Sequence, residues 1–319
     1  MAKETKVTVI GHLARDVYHL MNRGNEEVVE TLGGIFYSVA ALSVFLAPED
    51  KILPVVGVHE DEFDKILEQL QQFANVDPKG IYKTKERMNE VHFFSNPSGG
   101  RTECSKHIAS PIPFPKIKPF LDVDGVLINM VSGFDILLET LDYIRMSIRD
   151  DGIPIHFDFH SLTLGVDEDQ ARFRRPLSDW RRWCFMLHSI QLSESEAAGL
   201  TTERYDEATL VNQLMPLMVG GLVITRGEGG ATLIHQEHKK LFRHDIPGIS
   251  VSTVVDTVGC GDVFGAAFFA EYLRSQDFVK AAEAGNQAAS FKSTFRGPDG
   301  LKSLKQQSAP RPPAIQAEG

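Results

Sequence analysis

Residues 255–267 combine an expected anion-binding turn with a carboxylate. The segment begins as a β-branched run, passes through Gly259, Cys260 and Gly261, and continues as an apolar, Ala-rich stretch that predicts a helix. Free backbone N–H groups at the start of a helix bind anions, together with the helix dipole. Asp262 follows directly, and a carboxylate beside a transferring phosphoryl group can act as a general base. An Asp in a first helical turn can equally complement the dipole, which would lower its pKa.

Two other phosphate-binding patterns fit this sequence less well. No G-x-x-x-x-G-K-[ST] segment occurs, which argues against a Walker-type NTPase. The glycines at 259, 261 and 265 read G-x-G-x-x-x-G, one residue off the dinucleotide fingerprint, and Glu283 lies about twenty positions further on. Because Glu283 falls in an Ala-rich helical stretch and not at a strand end, a Rossmann oxidoreductase is the weaker alternative.

The composition is that of an acidic globular protein. The chain has 319 residues, a formal net charge of −10 and a pI near 5.6, with 42% hydrophobic and 24% charged residues. This acidity argues against nucleic acid as a partner. Cys104, Cys184 and Cys260 are too few and too widely spaced for a disulfide framework or a C-x-x-C metal site. With no signal-peptide pattern and no apolar run of about 18 residues, we expect no membrane partner and a cytoplasmic location.

Predicted strands and helices alternate along most of the chain. Strands are predicted at 7–10, 52–58, 126–131, 155–159, 186–192, 222–225 and 231–235, and helices at 33–46, 61–73, 135–149, 207–218, 261–275 and 278–294. This alternation predicts an α/β fold with a largely parallel sheet covered on both faces. Extended segments at about 15–31 and 91–108 interrupt it and predict a small β-flap over the site. Residues 306–319 are rich in Pro, Ala and Gln, which predicts a disordered tail.

The string Asp-Thr-x-Gly-x-Gly-Asp at residues 256–262 resembles the C-terminal signature of the ribokinase-like carbohydrate kinases, also called the PfkB family. Cys260 stands where Ala, Gly or Ser is usual, and it is small enough to keep the turn. Three further segments resemble family motifs in the same order, so the resemblance covers about residues 6–296. It implies one kinase domain over about residues 1–300. The implied fold is a ribokinase-like three-layer α/β/α sandwich with a mostly parallel central sheet and a small β lid.

The resemblance also assigns residues to the phosphoryl acceptor. Gly33 and Gly34 resemble the N-terminal signature, where the pair lets a sugar approach the backbone, although the pair is also an ordinary helix-entry turn. Ser38 replaces the Asn usual one turn into the following helix, so its contact with a substrate hydroxyl is expected to be shorter, water-mediated or absent. Asp16, after the first strand, is expected to hold two sugar hydroxyls, although a turn-forming Asp fits the same position. Arg101, in the flap, is a further candidate for binding the substrate.

The donor side is assigned in the same way. Thr225, Gly227 and Gly230 resemble the family's Thr-x-Gly-x-x-Gly nucleotide loop, whose glycines let the chain pass close to the phosphates or ribose. A plain hairpin turn is the alternative for this loop. Asn286 aligns with a helix position that often borders adenine. The resemblance therefore implies ATP as the co-substrate.

Glu196 resembles the acid of the Asn-x-x-Glu motif that organises magnesium-bound water near the phosphates, with Ser193 in place of the Asn. Ser-x-x-Glu is also a helix capping box, and both roles can hold at once. Mg²⁺ keeps most of its water shell and needs few carboxylates, so one Glu is chemically sufficient. The resemblance thus implies Mg²⁺, and it admits a monovalent cation.

One family motif is eroded. Asp158 begins the segment Asp-Phe-His-Ser-Leu, where many members carry Asp-x-Asn-x-Arg, so the Arg is absent. His160 is either a polar replacement or a structural residue. The arginines at 172, 174, 175, 181 and 182 could supply the missing charge, but a solvated basic helix face is the favoured interpretation.

Together these features predict an ATP- and magnesium-dependent kinase that phosphorylates a hydroxyl, most simply a primary alcohol, of a sugar or sugar derivative. Asp262 would accept the hydroxyl proton, and the amides of Gly259, Cys260 and Gly261 would hold the charge that develops on the phosphoryl group. A nucleoside kinase on the same scaffold is the first alternative. A sugar- or nucleotide-binding regulator with lost catalysis is the second. Exposed flap strands also invite pairing with a second copy, which predicts a homodimer through the lid.

Overall fold

The computed structural model describes residues 4–22, 25–95 and 101–306 of the chain. The strands, in chain order, are β1 (Lys6–Ile10), β2 (Leu13–Asn22), β3 (Asn25–Gly34), β4 (Lys51–His59), β5 (Ile81–Thr84), β6 (Asn89–Ser95), β7 (Arg101–Lys106), β8 (Gly125–Asn129), β9 (Ile155–Asp158), β10 (Leu164–Val166), β11 (Arg172–Arg174), β12 (Ser189–Ser193), β13 (Gly221–Thr225), β14 (Gly230–Glu237) and β15 (Lys240–Pro247). Nine of them form the central sheet, in the order β15-β14-β13-β12-β9-β8-β1-β4-β5. The strands from β13 to β5 run parallel, and β14 and β15 add an antiparallel edge.

Helices cover both faces of the central sheet. In chain order they are α1 (Ile35–Phe45), α2 (Phe63–Gln71), α3 (Phe114–Ile117), α4 (Leu138–Ile148), α5 (Trp180–Cys184), α6 (Glu194–Gly199), α7 (Glu207–Leu214), α8 (Cys260–Ser275) and α9 (Phe278–Lys292). Helices α1, α2, α8 and α9 pack on one face, and α4 to α7 pack on the other. The result is three layers, with the sheet in the middle.

The buried strands explain why both faces must be covered. In β8, Val126 and Ile128 enter the core on one face while Leu127 enters the core on the other. All three are at most 1% exposed. Because successive strand residues point to opposite faces, a run with no polar position requires apolar partners on both sides. Helices on both faces supply those partners.

A second, four-stranded sheet has the order β3-β2-β6-β7, and we call it the lid sheet. Strands β2 and β3 form one antiparallel hairpin, β6 and β7 form another, and β2 pairs with β6 in parallel. The short β10–β11 hairpin extends this sheet through a bridge between Cys104 and Ala171. The lid sheet meets the central sheet at the end where β1, β8 and β9 finish, which places its side chains beside those strand ends.

The predicted three-layer α/β/α sandwich with a mostly parallel sheet and a small β lid is confirmed. Strands β5, β10, β11 and β15 were not predicted, because they are short or carry many polar residues. Part of the predicted tail, residues 307–319, lies outside the described residues, as do residues 96–100 of the extended segment predicted at 91–108. Within the described ranges, no helix has the length and apolar character needed to cross a membrane.

Candidate active site

Two adjacent cavities lie at the carboxyl-terminal edge of the parallel strands, where α/β sheets bind their ligands. The smaller, about 220 Å³, lies between this edge and the lid sheet, and we call it the lid cavity. Its walls include Asp16, Arg101, Asn129, Asp158, Arg172 and Asp262. The larger, about 490 Å³, lies against helices α8 and α9, and we call it the outer cavity. Both cavities are bordered by Thr225, Thr257 and Gly261, so they meet at the turn that begins α8.

Asp262 lies in the first turn of α8 and faces the lid cavity. Asn129, the last residue of β8, donates one hydrogen bond to Asp262 Oδ1 (2.6 Å) and another to Ser38 Oγ (2.7 Å). Burial raises the pKa of Asp262, and the hydrogen bond from Asn129 opposes that rise. The expectation that the helix dipole would lower this pKa is therefore wrong, because burial outweighs the dipole. A carboxylate with a raised pKa is a stronger base once it is deprotonated.

The turn before Asp262 requires its first glycine. Gly259 has φ of 79°, and a Cβ there would lie 2.6 Å from the ring of Tyr37. The N–H groups of Gly259 and Gly261 have no protein partner within the described part of the chain, whereas the N–H of Cys260 donates to the carbonyl of Thr257 at 3.2 Å. Two of the three predicted donors are thus available to an anion, and the third is shared with the turn itself.

Replacing Cys260 by Ala should leave turnover nearly unchanged, because the anion would be held by backbone amides and not by the thiol. Burial raises the pKa of this thiol to about 11, so it is protonated at neutral pH. Cys260→Leu should lower kcat instead, because the bulkier side chain would displace the turn and enter the outer cavity. Steady-state kinetics of both variants test this. A folded but inactive Cys260→Ala variant would assign the thiol a role of its own.

Asp16, in β2, is 3% exposed, and its Oδ2 has no hydrogen-bond partner among the described residues. Gly33 lies beside it in β3, and a Cβ at Gly33 would lie 2.1 Å from that oxygen. Burial, followed by the nearby charge of Asp262, raises the pKa of Asp16. An unpartnered buried carboxylate oxygen is costly unless a ligand satisfies it. This arrangement suits a ligand that brings hydroxyl donors.

The other two residues predicted from the N-terminal signature have structural tasks. Gly34 has φ of 63°, and a Cβ there would lie 2.3 Å from the carbonyl oxygen of His12, so glycine permits the chain to enter α1. Ser38 is fully buried behind Asn129 and accepts its hydrogen bond. Of the three outcomes expected for Ser38, an absent substrate contact fits this burial best, and its hydrogen bond positions Asn129, which in turn holds Asp262.

An ion-pair network forms the lid side of the same cavity. Glu103 accepts a hydrogen bond from Arg101 (2.7 Å) and pairs with Arg172 (3.3 Å). Arg172 also donates to the hydroxyl of Ser105 (2.6 Å) and the carbonyl of Val131 (2.7 Å). Burial would raise the pKa of Glu103, but Arg101 and then Arg172 hold it below its usual value. The side chain of Arg172 is thus 8% exposed and lies on a strand beside the site, so its assignment to a solvated helix face is wrong.

Glu196 has both carboxylate oxygens engaged. Its Oε2 accepts from the N–H of Ser193 (2.7 Å), which completes the predicted capping box. Its Oε1 contacts His160 Nδ1 (2.7 Å) and Arg174 Nη2 (2.7 Å). Burial alone would raise the pKa of Glu196, but His160, Arg174 and the N–H of Ser193 together lower it to about 2. Arg174 therefore pairs with the negative charge of Glu196, and His160 lies within hydrogen-bond distance of the same oxygen. The role of Glu196 in organising magnesium-bound water stays a prediction.

Asp158 and the turn are joined by Gln191, whose amide donates to Asp158 Oδ2 (3.1 Å) and to the carbonyl of Gly261 (3.0 Å). Burial and then Glu196 raise the pKa of Asp158, while the N–H of His160 donates to its Oδ1 at 3.0 Å. Across the described ranges, no group of three or more His, Cys, Asp or Glu side chains is arranged to hold a metal ion. The protein atoms themselves form no metal cage beside the turn.

The outer cavity brings together the residues predicted for the nucleotide. Thr225, Gly227, Gly230 and Asn286 all border it, and Asn286 donates to the carbonyl of Pro247 at 2.9 Å. Apolar side chains complete its walls, among them Ile249, Val251, Val254 and Phe264. An apolar cavity with a few polar groups suits a planar base.

Sequence reasoning missed three residues of the lid cavity: Asn129, Glu103 and Arg172. Asn129 ends a buried strand, and that position is a signal from which its place at the sheet edge could have been predicted. Glu103 and Arg172 belong to polar strands that meet only through the pairing of β7 with the β10–β11 hairpin. No pattern in the sequence relates them.

Residues 174–302 match the model of the pfkB family carbohydrate kinases. A pyrophosphate-dependent kinase in the ribokinase family has a similar structure, with 17% identity, a TM-score of 0.74, and coverage of 94% of this chain and 99% of that one. The ribokinase of Arabidopsis thaliana, determined with ribose and ATP, has 18% identity, a TM-score of 0.72, and coverage of 94% and 96%. A nucleoside kinase of Methanocaldococcus jannaschii is 34% identical over 73 residues, which is 23% of either chain. The predicted resemblance to ribokinase-like carbohydrate kinases is confirmed.

Proposed function

We propose that this protein transfers the γ-phosphoryl group of ATP to a hydroxyl of a sugar or a related cyclic polyol. The observation that carries the proposal is the position of Asp262. It faces the lid cavity, where an acceptor would lie, and it directly follows the turn at which the lid cavity meets the outer cavity. Phosphoryl transfer needs the acceptor, the base and the anion-binding amides at one point.

The chemistry follows from these neighbours. As the acceptor oxygen bonds to the γ-phosphorus, its proton passes to Asp262 and ADP leaves with the electrons of the breaking P–O bond. The N–H groups of Gly259 and Gly261 would hold the negative charge on the transferring group, a task for which each preorganised donor is typically worth about 3–4 kcal/mol. Asn129 keeps the carboxylate of Asp262 in place. Closure of the lid sheet over the acceptor would exclude water and limit ATP hydrolysis.

The outer cavity supports ATP as the donor. Pyrophosphate, the donor named for one structural relative, has no group that would use an apolar cavity of about 490 Å³. Adenine and ribose would fill such a space. We keep magnesium as an expectation from the sequence for the nucleotide's phosphates, and Glu196, which pairs with Arg174, as the residue expected to organise its bound water.

The aromatic residues of the lid sheet support a sugar or polyol over a nucleoside. Phe93 is stacked on Tyr18 (5.2 Å between ring centroids) and covered by the guanidinium of Arg101 at 5.0 Å. Phe94 lies in a stack with His19 (4.2 Å) and does not border the lid cavity. Phe93 borders the lid cavity, but its ring already contacts Tyr18 and Arg101, and Phe94 lies outside that cavity, so neither ring is set apart for a nucleobase. A nucleoside kinase is the second candidate, favoured by the 73-residue match to the Methanocaldococcus enzyme.

A screen of the purified protein tests the proposal. ATP and pyrophosphate would each be offered with pentoses, hexoses, cyclic polyols and nucleosides, and ADP or phosphate release would be measured against a control without acceptor. We expect acceptor-dependent turnover with ATP and a sugar or polyol. Faster turnover of a nucleoside would move the assignment to nucleoside kinase. No acceptor-dependent turnover with either donor would contradict the proposal and favour a binding role.

A further inference from the structure

Lys292, near the end of α9, is 0% exposed, which is rare for a lysine. Its ammonium group lies 3.9 Å from Asp256 Oδ2 and donates to the carbonyl of Phe295 at 3.1 Å. The rings of Tyr37 and Phe295 lie 5.6 Å and 5.2 Å from the same nitrogen. Burial of an ammonium costs several kcal/mol unless it is well compensated, so a chain gains little stability from this arrangement.

The position of Lys292 links it to the anion-binding turn. The carbonyl of the next residue, Ser293, accepts hydrogen bonds from the N–H groups of Val255 (2.7 Å) and Asp256 (3.2 Å). The end of α9 therefore contacts the segment before the turn in two ways: through the backbone carbonyl of Ser293 and through the side chain of Lys292, which pairs with Asp256. Asp256 passes this constraint on, because its Oδ1 accepts the N–H of Val258 at 3.0 Å, one residue before Gly259.

Tyr37 provides a second link. Its ring lies against Gly259, as the 2.6 Å clearance for a Cβ at that glycine shows, and it lies over the ammonium of Lys292. The positive charge therefore lies behind the turn, on the protein side, while the free N–H groups of Gly259 and Gly261 face the cavities. Asp256, 3.9 Å away, offsets part of this charge. The remainder is weakly screened because the group is buried, and it attracts an anion bound on the cavity side.

We propose that Lys292 is a positioning residue for phosphoryl transfer: through Asp256 and Tyr37 it fixes the turn at Gly259–Gly261, and its charge adds to the positive potential that the turn presents to the phosphoryl group. This inference rests on the proposed function and deepens it. It also explains why a costly buried charge is kept in a position that an apolar side chain of similar length could fill.

Lys292→Met tests the proposal, because methionine fills similar space without the charge. We expect kcat to fall about 10²-fold, as for the loss of one preorganised electrostatic contact, with little change in KM for the acceptor. The melting temperature should stay close to the wild-type value, because Asp256 keeps its hydrogen bonds from Tyr18 and Val258. Lys292→Arg, which keeps a positive charge, should recover at least about tenfold of the lost kcat.

Lys280→Met is the matched control, because Lys280 lies on the same helix and its side chain is 63% exposed. It should turn over like the wild type. If Lys292→Met fails to fold, Lys292→Gln replaces it, since glutamine keeps a donor for Phe295 but carries no charge. A folded Met or Gln variant with wild-type kcat would overturn the proposal. So would an Arg variant as impaired as the Met variant, with equal losses of melting temperature, because that pattern indicates a purely structural lysine.

Binding of inorganic pyrophosphate, measured by calorimetry, separates this inference from the proposed function. We expect the Met variant to bind pyrophosphate about tenfold more weakly than the wild type, because a weakly screened charge near the anion is lost, and the Lys280 control to bind it normally. If the wild type transfers no phosphoryl group but shows this difference, the proposed function fails, and what stands is that Lys292 supports anion binding at the turn Gly259–Gly261. Equal pyrophosphate affinity in wild type and Met variant would contradict the role of Lys292, whatever the enzyme phosphorylates.

Discussion

Asp262→Asn is expected to lower kcat by at least about 10²-fold, the loss typical of a general base, while the affinity for ATP changes little. Asparagine fits the same space and can keep its carbonyl oxygen on the amide of Asn129, so the fold of the turn should survive. It cannot accept a proton from the acceptor hydroxyl. Steady-state kinetics with the acceptor found in the screen, together with ATP binding by calorimetry, give both quantities.

Asp64→Asn is the matched control, because Asp64 is also an acidic residue in the first turn of a helix but lies exposed on α2. It should keep wild-type kinetics. The pH profile adds an independent readout. Burial raises the pKa of Asp262, and the base acts only when deprotonated, so kcat should fall as the pH drops through that raised value. A variant with near-normal turnover, or a wild type whose acid limb lies at the usual pKa of an aspartate, would count against Asp262 as the base.

The local features of this site could be predicted from the sequence, because each depends on neighbours along the chain. The turn at 259–261, the helix after it and the glycine pair at 33–34 follow from residue types that adopt positive φ or cap helices. The role of Gly33 is different. Its lack of a side chain makes room for Asp16 from the paired strand, a contact that depends on the β2–β3 register and not on the motif.

What could not be predicted arises from groups that are distant along the chain. In the sequence Arg172 belongs to a basic cluster, but in the structure the β10–β11 hairpin places its Nη1 3.3 Å from Oε2 of Glu103. The sequence predicts Glu196 as a capping acid and a candidate for organising magnesium-bound water, but it does not show the contacts with His160 and Arg174. The direction of the Asp262 pKa was predicted wrongly for the same reason: the helix dipole is visible in the sequence, whereas burial depends on the whole fold. The partners that compensate a charge are therefore hard to predict from sequence, because they come from distant parts of the chain.

The strength of acceptor binding should depend most on Asp16. We expect Asp16→Asn to raise KM for the acceptor about 10- to 100-fold, because hydrogen bonds to a charged group are worth about 1.5–3 kcal/mol each, with a smaller effect on kcat. Glu27→Gln, at an exposed lid-sheet position, is the control and should leave KM unchanged. Phe93→Ala should have a modest effect on KM, because the ring contacts Tyr18 and Arg101 already and a sugar does not need it.

Stability provides a check on Asp16 that does not depend on the acceptor. Its pKa is raised in the folded protein by burial, so the ionised form of Asp16 is less favourable in the native state than in the unfolded chain. Folding stability should therefore rise as the pH falls through the raised pKa, and Asp16→Asn should melt at a higher temperature than the wild type at neutral pH. A carboxylate that is buried at a cost in stability is expected where it serves function, here the binding of hydroxyl donors. A lower melting temperature for Asp16→Asn, with an unchanged KM for the acceptor, would make Asp16 a structural residue. A larger rise in that KM from Phe93→Ala than from Asp16→Asn would instead indicate a nucleoside acceptor.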